Sequence, residues 1–369
     1  MKILGIGSPF LHDPAAALLV DGEIVAAAEE ERFSRHKHAT RAQPIAAARY
    51  CLEAGGLDIS QVDCVAFPWS PKSYLRDLPS YLKRTWWTRP SRAFKALRNL
   101  RSERQERARR TDALLEELGA RKKPPVEWVD HHTAHAASSY HLSGFENAAI
   151  LSVDGSGEFT STFMAEGREG DILPLRRIIN PDSLGFFYST VTEYLGFRRD
   201  DGEFKTMGMS AYGDPGRIDV SSLIEISPNG AGSYRINDEN IWCLRRKRWH
   251  KDKMFGPGLV EQWGPPRTGD GLREPYMHIA AAAQKVLEDI TLSFLDTTLK
   301  PILERCQGRL CLAGGCALNV RMNRKLLAHP LVEELWVQPA AHDSGAPLGA
   351  AVWVAHRSGD RIRRMGHAY

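Results

Sequence analysis

One short pattern occurs twice in this chain and limits the folds open to it. Near the start, the apolar segment KILGIG is followed by the turn FLHDPAA, a second apolar segment AALLVDG and a third, EIVAAAE. At 147–167, NAAILSV is followed by the acidic, glycine-rich turn DGSGE and a second apolar segment, TSTFMAEG. Each apolar segment has the length of one strand, and the Asp21-Gly22 pair is a hairpin signal. A chain that builds strand, turn and strand in two places is typical of a duplicated, two-lobed fold.

The rest of the chain alternates helices with strands. Apolar spacing predicts helices at 43–55 and from His131, and the apolar runs at 62–68 and 125–130 predict strands. The later half supplies more helices, a strand ending in the glycine turn LAGG, the strand ELWVQP and a last helix from about 346. This alternation predicts an α/β fold with mixed sheets. The pattern resembles the actin, sugar-kinase and Hsp70-type (ASKHA) fold, in which two such turns face each other across a cleft and hold phosphates.

We expect a first lobe at 1–170 and a second lobe at 171–369, with a basic insertion at about 72–123. The insertion carries 16 Lys/Arg and 6 Asp/Glu, a local charge of +10. The other residues together carry a charge of −6, which gives the net charge of +4. Its Leu and Ala residues recur at helical spacing, which indicates one or two exposed helices, either solvated or in a subunit contact. A nucleic-acid surface is disfavoured because no reading motif accompanies the charge. Docking of an anionic partner or substrate stays open.

Composition excludes several classes of protein. With 43% apolar and 25% charged residues, the chain has the make-up of an ordinary globular protein, not a disordered or fibrous one. No apolar run approaches the ~18 residues of a membrane span, and MKILGIG is too short for a signal-peptide core. The six cysteines form no C-x-x-C pair, which favours reduced thiols over disulfides or a zinc ribbon. We therefore expect a cytoplasmic protein that binds no membrane.

Two histidines and two aspartates are candidate metal ligands. His131 and His135 are four residues apart, so on a helix they share one face. Asp154 ends an apolar strand, where α/β proteins place their sites, and Asp343 follows a strand and precedes an Ala/Gly-rich helix. Two imidazoles and two carboxylates suit Fe(II), Mn or Zn and leave positions open for a phosphate oxygen. Structural alternatives are a chance histidine pair, an Asx turn at Asp154 and a helix N-cap at Asp343.

Gly314 and Gly315 form the candidate nucleotide turn. They precede the segment CALN at the predicted start of a helix, a position from which backbone amides can face a phosphate. The chain contains none of the motifs G-x-G-x-x-G, G-x-x-x-x-G-K-[ST] and G-x-S-x-G. Their absence disfavours a Rossmann dehydrogenase, a P-loop NTPase and a serine hydrolase.

Six segments spread over nearly the whole chain resemble the NodU/CmcH-type O-carbamoyltransferases, which include the antibiotic-tailoring carbamoyltransferases. The matching segments, in order, are LHDPAAALLVDGEIVAAAEEERFSRHKH at 11–38, VDHHTAHAASSYHLSGFENAAILSVDGSGE at 129–158, DGEFKTMGMSAYGDP at 201–215, HIAAAAQKVLED at 278–289, LAGGCALNVRMN at 312–323 and QPAAHDSGAPLGAA at 338–351. The combination is specific, and the resemblance implies the two-lobed fold already indicated by the repeated pattern.

The resemblance also implies a metal and nucleotide site. The family binds a metal, commonly assigned as iron, that contacts the nucleotide phosphate, and the residues at the ligand positions are His131, His135, Asp154 and Asp343. Six further residues fall on the implied phosphate turn, cleft loop and adenosine turn: Gly155, Glu203, Lys205, Gly314, Gly315 and Asn319. The implied cofactors are a divalent metal, Fe(II) or else Mn or Zn, and ATP or carbamoyl adenylate as donor nucleotide.

The implied reaction moves a carbamoyl group from carbamoyl adenylate, made from ATP and carbamoyl phosphate, to a hydroxyl of a small-molecule natural product. His12 and Lys37 match residues near the acceptor and the carbamoyl group. His12 is the candidate base, or else a cap of the hairpin turn, and Lys37 or Lys205 is a candidate to stabilise the developing oxyanion or phosphate. In the family a C-terminal domain makes the adenylate, so this chain is expected to be a fragment or to rely on a separate domain or chain.

Two other functions stay open, because they share the fold. One is tRNA threonylcarbamoyladenosine-type transfer, since this region of the family is similar to the subunit that performs it. The other is a non-catalytic nucleotide-binding or kinase-like protein, although a kinase binds Mg²⁺ through carboxylates and water and needs no histidine pair. The expected partners are a small-molecule alcohol and the carbamoyl phosphate-derived donor, and a homodimer stays open.

Overall fold

The computed structural model describes residues 1–7, 13–226, 232–237, 240–241 and 253–367. Its first sheet pairs strands in the order β3-β2-β1-β4-β5. The first three strands are antiparallel, whereas β4 and β5 are added parallel to β1. The strands of this sheet are β1 (Lys2–Gly7), β2 (Ala15–Val20), β3 (Glu23–Glu29), β4 (Cys64–Phe67) and β5 (Val126–Trp128).

A second sheet repeats the same path of the chain. It pairs strands in the order β12-β11-β6-β7-β8, with β6, β7 and β8 antiparallel and β11 and β12 added parallel to β6. Strands β9 and β10 form a separate two-stranded sheet. These strands are β6 (Asn147–Val153), β7 (Thr160–Arg168), β8 (Asp171–Ile179), β9 (Ile224–Ile226), β10 (Tyr234–Ile236), β11 (Arg309–Ala313) and β12 (Glu334–Val337). The duplicated topology confirms the predicted two-lobed α/β fold with mixed sheets.

Helices connect the strands, and two of them lie between the two sheets. Among the described residues they are α1 (Glu31–Ser34), α2 (Ile45–Ala54), α3 (Pro71–Thr85), α4 (Pro90–Glu117), α5 (His131–Ser143), α6 (Leu184–Tyr194), α7 (Glu203–Met209), α8 (Pro257–Trp263), α9 (Tyr276–Asp296), α10 (Lys300–Arg305), α11 (Val320–Leu327) and α12 (Ala346–Arg357). Helix α12 packs on β1 and β2 and against α5, while α5 packs on β6 and β11. Helices α5 and α12 therefore lie against each other between the two sheets.

The boundary expected between residues 170 and 171 falls in the turn that joins β7 to β8. The first sheet ends at Trp128 and the second begins at Asn147, so the sheets divide in the segment that contains α5. In addition, α12 comes from the expected second lobe but packs on the first sheet, where Ala351 and Val352 join a core cluster with Ile3 and Leu19. A division of the chain at α5, with α12 returning to the first lobe, fits the sheets better than a cut at 170.

The basic insertion forms the two helices α3 and α4, which fits the expectation of one or two helices at 72–123. Helix α3 is not merely solvated, because Tyr74 and Tyr81 pack on Phe159 with ring centroids 4.4 Å away in each case. Arg76 of the same helix pairs with Asp130 at 2.9 Å. The insertion thus contacts the segments that lead into α5 and β7. Within the described ranges, the helices include none with both the length and the apolar character to cross a membrane.

Candidate metal and nucleotide site

Three separate segments bring the four predicted metal ligands together. His131 and His135 lie on the first turns of α5, which begins where the Asp130 carboxylate accepts a hydrogen bond from the Thr133 amide at 2.8 Å. Asp154 follows β6 directly, and Asp343 lies in the short helical turn before α12. One ligand atom from each of the four residues falls within a group no wider than 4.8 Å.

The distances within the cluster suit a shared ion. The Nε2 atoms of His131 and His135 are 3.1 Å apart. A carboxylate oxygen of Asp343 lies 3.5 Å and 3.6 Å from these two nitrogens, and an Asp154 oxygen lies 3.4 Å from His131 Nε2. Ligand atoms about 2.1 Å from one ion lie roughly 3.0–3.4 Å apart in octahedral or tetrahedral geometry. The donor set of two imidazoles and two carboxylates therefore fits a divalent transition metal.

Hydrogen bonds and charge prepare these side chains for a cation. The Pro68 carbonyl lies 3.4 Å from His131 Nδ1, which favours the tautomer that leaves Nε2 free. Burial opposes the charged forms of both His131 and Asp154, but their mutual hydrogen bond and the neighbouring charges outweigh it. As a result, the pKa of His131 is raised to about 10 and that of Asp154 is held well below its usual range. An ionised Asp154 and a protonated His131, whose proton a metal would replace, are thus held next to each other.

His132 lies on the face of α5 next to that of His131 and His135, and its contacts stabilise the fold. Its ring nitrogens lie 3.0 Å from Ser152 Oγ and 2.9 Å from the Thr160 carbonyl oxygen. Burial, with the charges of His131 and His135, lowers its pKa to about 4. A neutral, doubly hydrogen-bonded His132 therefore anchors α5 to the second sheet.

The glycine turn after β11 is joined to the metal cluster. The Gly315 amide donates a hydrogen bond to Asp154 Oδ1 at 2.9 Å. Gly314 has φ of +86°, and a Cβ at this position would collide with the Val153 carbonyl. Asn319 caps α11 by accepting from the Met322 amide at 2.9 Å, and its amide group donates to Gln284 at 2.8 Å. The turn is therefore fixed both to the end of β6 and to helix α9.

A cavity of about 580 Å³ opens beside this turn. Its walls include Asp154 and Asp343 of the metal cluster and five of the other predicted site residues: Lys37, Gly155, Glu203, Gly315 and Asn319. Burial raises the pKa of Glu203, whose carboxylate accepts from Ser189 Oγ at 2.6 Å. The predicted metal and nucleotide residues thus border one space.

Two of the predicted nucleotide residues, Gly314 and Lys205, do not line this cavity. Gly314 lies behind the turn, against β6. The Lys205 ammonium lies 5.7 Å from the Phe204 ring centre and 6.0 Å from that of Phe197. His12 lies outside the described residues, so its predicted role as a base stays a prediction.

Sequence reasoning missed a second group of polar residues in the same cavity. Asp13, His38 and His342 line it, and Asp201 faces His38 from the segment before α7. Asp13 and His38 are each the direct chain neighbour of a residue predicted from the resemblance, His12 and Lys37. That adjacency, and their place in the resembling segment at 11–38, were the signals for them in the sequence, because their contact forms only in the folded chain.

Asp130 positions the histidine helix, and replacing it by alanine is expected to weaken both the fold and metal binding. The Asp130→Ala change removes the N-cap of α5 and leaves Arg76 without one of its carboxylates, a loss of about 1–2 kcal/mol in the free energy of unfolding. Metal affinity is expected to fall about 10- to 100-fold, as for other residues that orient ligands. Urea unfolding and metal titration measure the two effects.

The sign of the pH dependence follows from the lowered pKa of Asp130. Although burial opposes its ionisation, Arg76 and hydrogen bonds to Ser73 and Thr133 lower this pKa in the folded chain. The stability that Asp130 contributes is therefore full above about pH 4, its unfolded range, and is lost as the pH falls. An Asp130→Ala deficit that is as large at pH 3 as at pH 7 would contradict this origin.

The chain matches one family model and several curated relatives. The model described as Carbamoyltransferase N-terminus matches residues 2–352. The chain is 36% identical to the uncharacterized protein sll1178 of Synechocystis sp., over 99% of this chain and 59% of that protein. It is 33% identical to the nodulation protein NolNO of Sinorhizobium fredii, over 98% of this chain and 49% of that protein. The chain therefore spans about half to three-fifths of the length of these relatives.

Solved structures share little sequence with the chain. HypF of T. kodakarensis is 12% identical, with a TM-score of 0.48 over 98% of this chain and 48% of that one. The activator of the 2-hydroxyisocaproyl-CoA dehydratase from Clostridium difficile, solved with bound ADPNP, is 11% identical, with a TM-score of 0.47 over the whole of both chains. The family match is the stronger finding, because it runs from β1 into α12 and includes every described residue of the metal cluster. This chain belongs to the carbamoyltransferase family, and residues 2–352 correspond to the N-terminal region of that family.

Proposed function

We propose that this chain transfers a carbamoyl group from carbamoyl adenylate to a hydroxyl of a small-molecule natural product. The single observation that carries this proposal is the hydrogen bond from the Gly315 amide to Asp154, which joins the glycine turn to the predicted metal ligands. This hydrogen bond supports a nucleotide site and a cation site that share one cavity, because Gly315, Asp154 and Asp343 all line it. A donor that carries a phosphate needs its nucleotide site next to a cation site, because the negative charge of the phosphate requires a positive partner.

Each part of the site has a task in this reaction. His131, His135, Asp154 and Asp343 would hold a divalent metal, Fe(II) or else Mn or Zn, which supplies positive charge next to the donor phosphate. The turn from Gly314 to Asn319 would bind the adenosine of the donor, with Gly155 and Glu203 on the neighbouring walls. Lys37 also lines the cavity, and its ammonium lies 3.5 Å from a Glu31 oxygen. In that position Lys37 is the candidate to neutralise the oxyanion that forms at the carbamoyl group.

The chemical step is a substitution at the carbamoyl carbon. The acceptor oxygen forms a bond to this carbon, and the carbon–oxygen bond to the phosphate breaks, so that AMP leaves with the electron pair. The acceptor hydroxyl loses its proton to a base in the cavity, since a neutral alcohol is a weak nucleophile. Closure of the cavity by the acceptor would exclude water, which otherwise competes for the donor.

The donor is proposed to come from outside the described fold. The matched region covers 49% of one curated relative and 59% of the other. We propose that a further domain or a separate chain makes carbamoyl adenylate from ATP and carbamoyl phosphate. In this proposal the chain needs only finished carbamoyl adenylate as its donor.

A donor assay tests this function. The chain, loaded with Fe(II), is expected to carbamoylate a member of a panel of sugars, amino sugars and polyols when supplied with synthetic carbamoyl adenylate. ATP with carbamoyl phosphate is expected to give no product with this chain alone. Mass spectrometry detects the product as the acceptor plus one carbamoyl group, and chromatography detects AMP. Transfer of threonylcarbamoyl to tRNA, or phosphorylation of the panel by ATP, would instead support the two other functions.

A further inference from the structure

A pair of residues in the cavity has the arrangement of an oriented base. His38 Nδ1 lies 2.7 Å from a carboxylate oxygen of Asp13. A second hydrogen bond joins the same two residues through the backbone, from the Asp13 amide to the His38 carbonyl at 2.9 Å. Both residues line the cavity that also contains Asp154 and Asp343. An imidazole that is bound at Nδ1 by a carboxylate has a fixed tautomer and a fixed direction for Nε2.

The backbone at both residues supports a functional reading of this pair. Asp13 has φ of +55° and His38 has φ of +61°, values in the left-handed region that non-glycine residues rarely adopt. Such conformations cost of order 1–3 kcal/mol each and persist where the surrounding structure holds them. The His38 amide is held in addition by a Glu31 carboxylate oxygen at 2.6 Å. Two such positions, joined to each other by hydrogen bonds at the wall of a cavity, are typical of a site rather than of a simple connecting loop.

Asp13 also connects the pair to the metal cluster. Its other carboxylate oxygen lies 3.5 Å from Nδ1 of His342, the chain neighbour of Asp343. His342 in turn contacts a Glu29 oxygen at 3.4 Å and Ser344 Oγ at 3.0 Å. Asp13 is therefore held from two sides, and its carboxylate has little freedom to turn away from His38. The exposed fraction of Asp13 is only 9%, which keeps this hydrogen bond away from bulk water.

We propose that His38 is the general base that accepts the proton of the acceptor hydroxyl, and that Asp13 is the positioning residue that orients it. This inference rests on the proposed carbamoyl transfer. In the step, the hydroxyl proton passes to Nε2 of His38 while the acceptor oxygen bonds to the carbamoyl carbon and AMP departs with the electron pair. The imidazolium then releases the proton to solvent, so that no other reactant is needed. The proposal gives His38 the role of base for which His12 was the candidate in the sequence, and His12 lies outside the described residues.

Charged groups surround His38 from several elements of the fold. Its Nε2 lies 3.2 Å from an Asp201 oxygen, the position that the acceptor hydroxyl takes in the proposed step. The hydrogen bond that His38 donates to Asp13 raises the pKa of His38 most, and burial opposes it. The charge of Asp13 and a hydrogen bond to Asp201 raise this pKa further, while Lys37 lowers it. Other charged groups of the described residues that face the pair or its partners are Glu29, Glu31, Arg32 and His342. Transfer is therefore expected to increase with pH as His38 loses its proton.

The experiment compares His38→Gln with His36→Gln, a matched change two residues away on an exposed side chain. With carbamoyl adenylate and the fastest acceptor of the panel, His38→Gln is expected to reduce kcat/KM about 100- to 1,000-fold. Its metal content and its affinity for AMP are expected to stay within twofold of the unchanged chain. His36→Gln is expected to have the activity of the unchanged chain.

A pH profile separates orientation from simple support of the fold. Asp13→Asn keeps an oxygen that can accept from Nδ1 but removes the charge, so the acidic limb of kcat/KM is expected to move to lower pH. Transfer by His38→Gln within threefold of the unchanged chain, loss of AMP and metal binding in that variant, or an unmoved acidic limb in Asp13→Asn would each overturn the assignment. If the unchanged chain makes no carbamate ester at all, the proposed function fails, and this inference fails with it.

Discussion

Replacing Asp154 by asparagine is expected to remove the metal and to reduce carbamoyl transfer more than about 100-fold. Asparagine has the same shape, and its oxygen can still accept the hydrogen bond from Gly315 that Asp154 accepts at 2.9 Å. What the change removes is a negative charge 3.4 Å from His131 Nε2, at the centre of the predicted ligand set. Metal content by mass spectrometry and single-turnover transfer from carbamoyl adenylate measure the two losses.

The control for this change is Asp171→Asn, which makes the same replacement on an exposed residue at the start of β8. Asp171→Asn is expected to keep the metal content and the transfer rate of the unchanged chain. Urea unfolding of both variants shows whether a loss of fold contributes. An Asp154→Asn chain that still holds one metal and transfers at full rate would contradict the assignment of Asp154 as a ligand.

Replacing Gly314 by alanine is expected to lower the free energy of unfolding by about 2–4 kcal/mol. Two effects add at this position. The backbone has φ of +86°, which is unfavourable for alanine, and the new Cβ would collide with the Val153 carbonyl of the neighbouring strand. Relief of the collision has to move the turn that carries the Gly315 amide. We therefore expect AMP affinity to fall together with stability, as measured by calorimetry and urea unfolding.

Gly359 offers a matched control for the collision. It has φ of +93°, and a Cβ added there would meet no heavy atom within 4 Å. Gly359→Ala is therefore expected to cost only the conformational part, roughly 1 kcal/mol, and to leave AMP binding unchanged. Equal losses of stability in the two variants would show that the close approach of Gly314 to Val153 does not constrain the turn.

The fold was largely predictable because its signals are local. The Asp21-Gly22 pair predicted the hairpin between β2 and β3, which the structure contains, and the repeated apolar segments predicted the duplicated sheets. The position of α12 was not predictable in the same way. Its apolar, small-residue sequence indicates burial on all sides but does not specify the sheet on which it packs. The lobe boundary expected at 170/171 falls within the hairpin of 160–168 and 171–179, a pairing that the sequence analysis did not include.

The metal candidates were predictable from residue type and spacing, and the resemblance supplied the grouping. His131 and His135 share a helix face by spacing alone, whereas the approach of Asp343 to them depends on a crossover between segments more than 200 residues apart. The contact of His38 with Asp13 could not be predicted from helical or strand spacing, because the two residues are 25 positions apart in the chain. Its two strained backbone positions become visible only in the folded chain.

A metal titration of the transfer rate tests most directly whether this site carries out carbamoyl transfer. The metal-free chain is mixed with increasing Fe(II), excess carbamoyl adenylate and the fastest acceptor, and the initial rates of AMP and carbamate ester formation are measured. We predict that the two rates are equal, increase linearly with metal and stop increasing at one metal per chain. Full ester formation by the metal-free chain, or release of AMP with no ester at any metal concentration, would contradict the proposed carbamoyltransferase site.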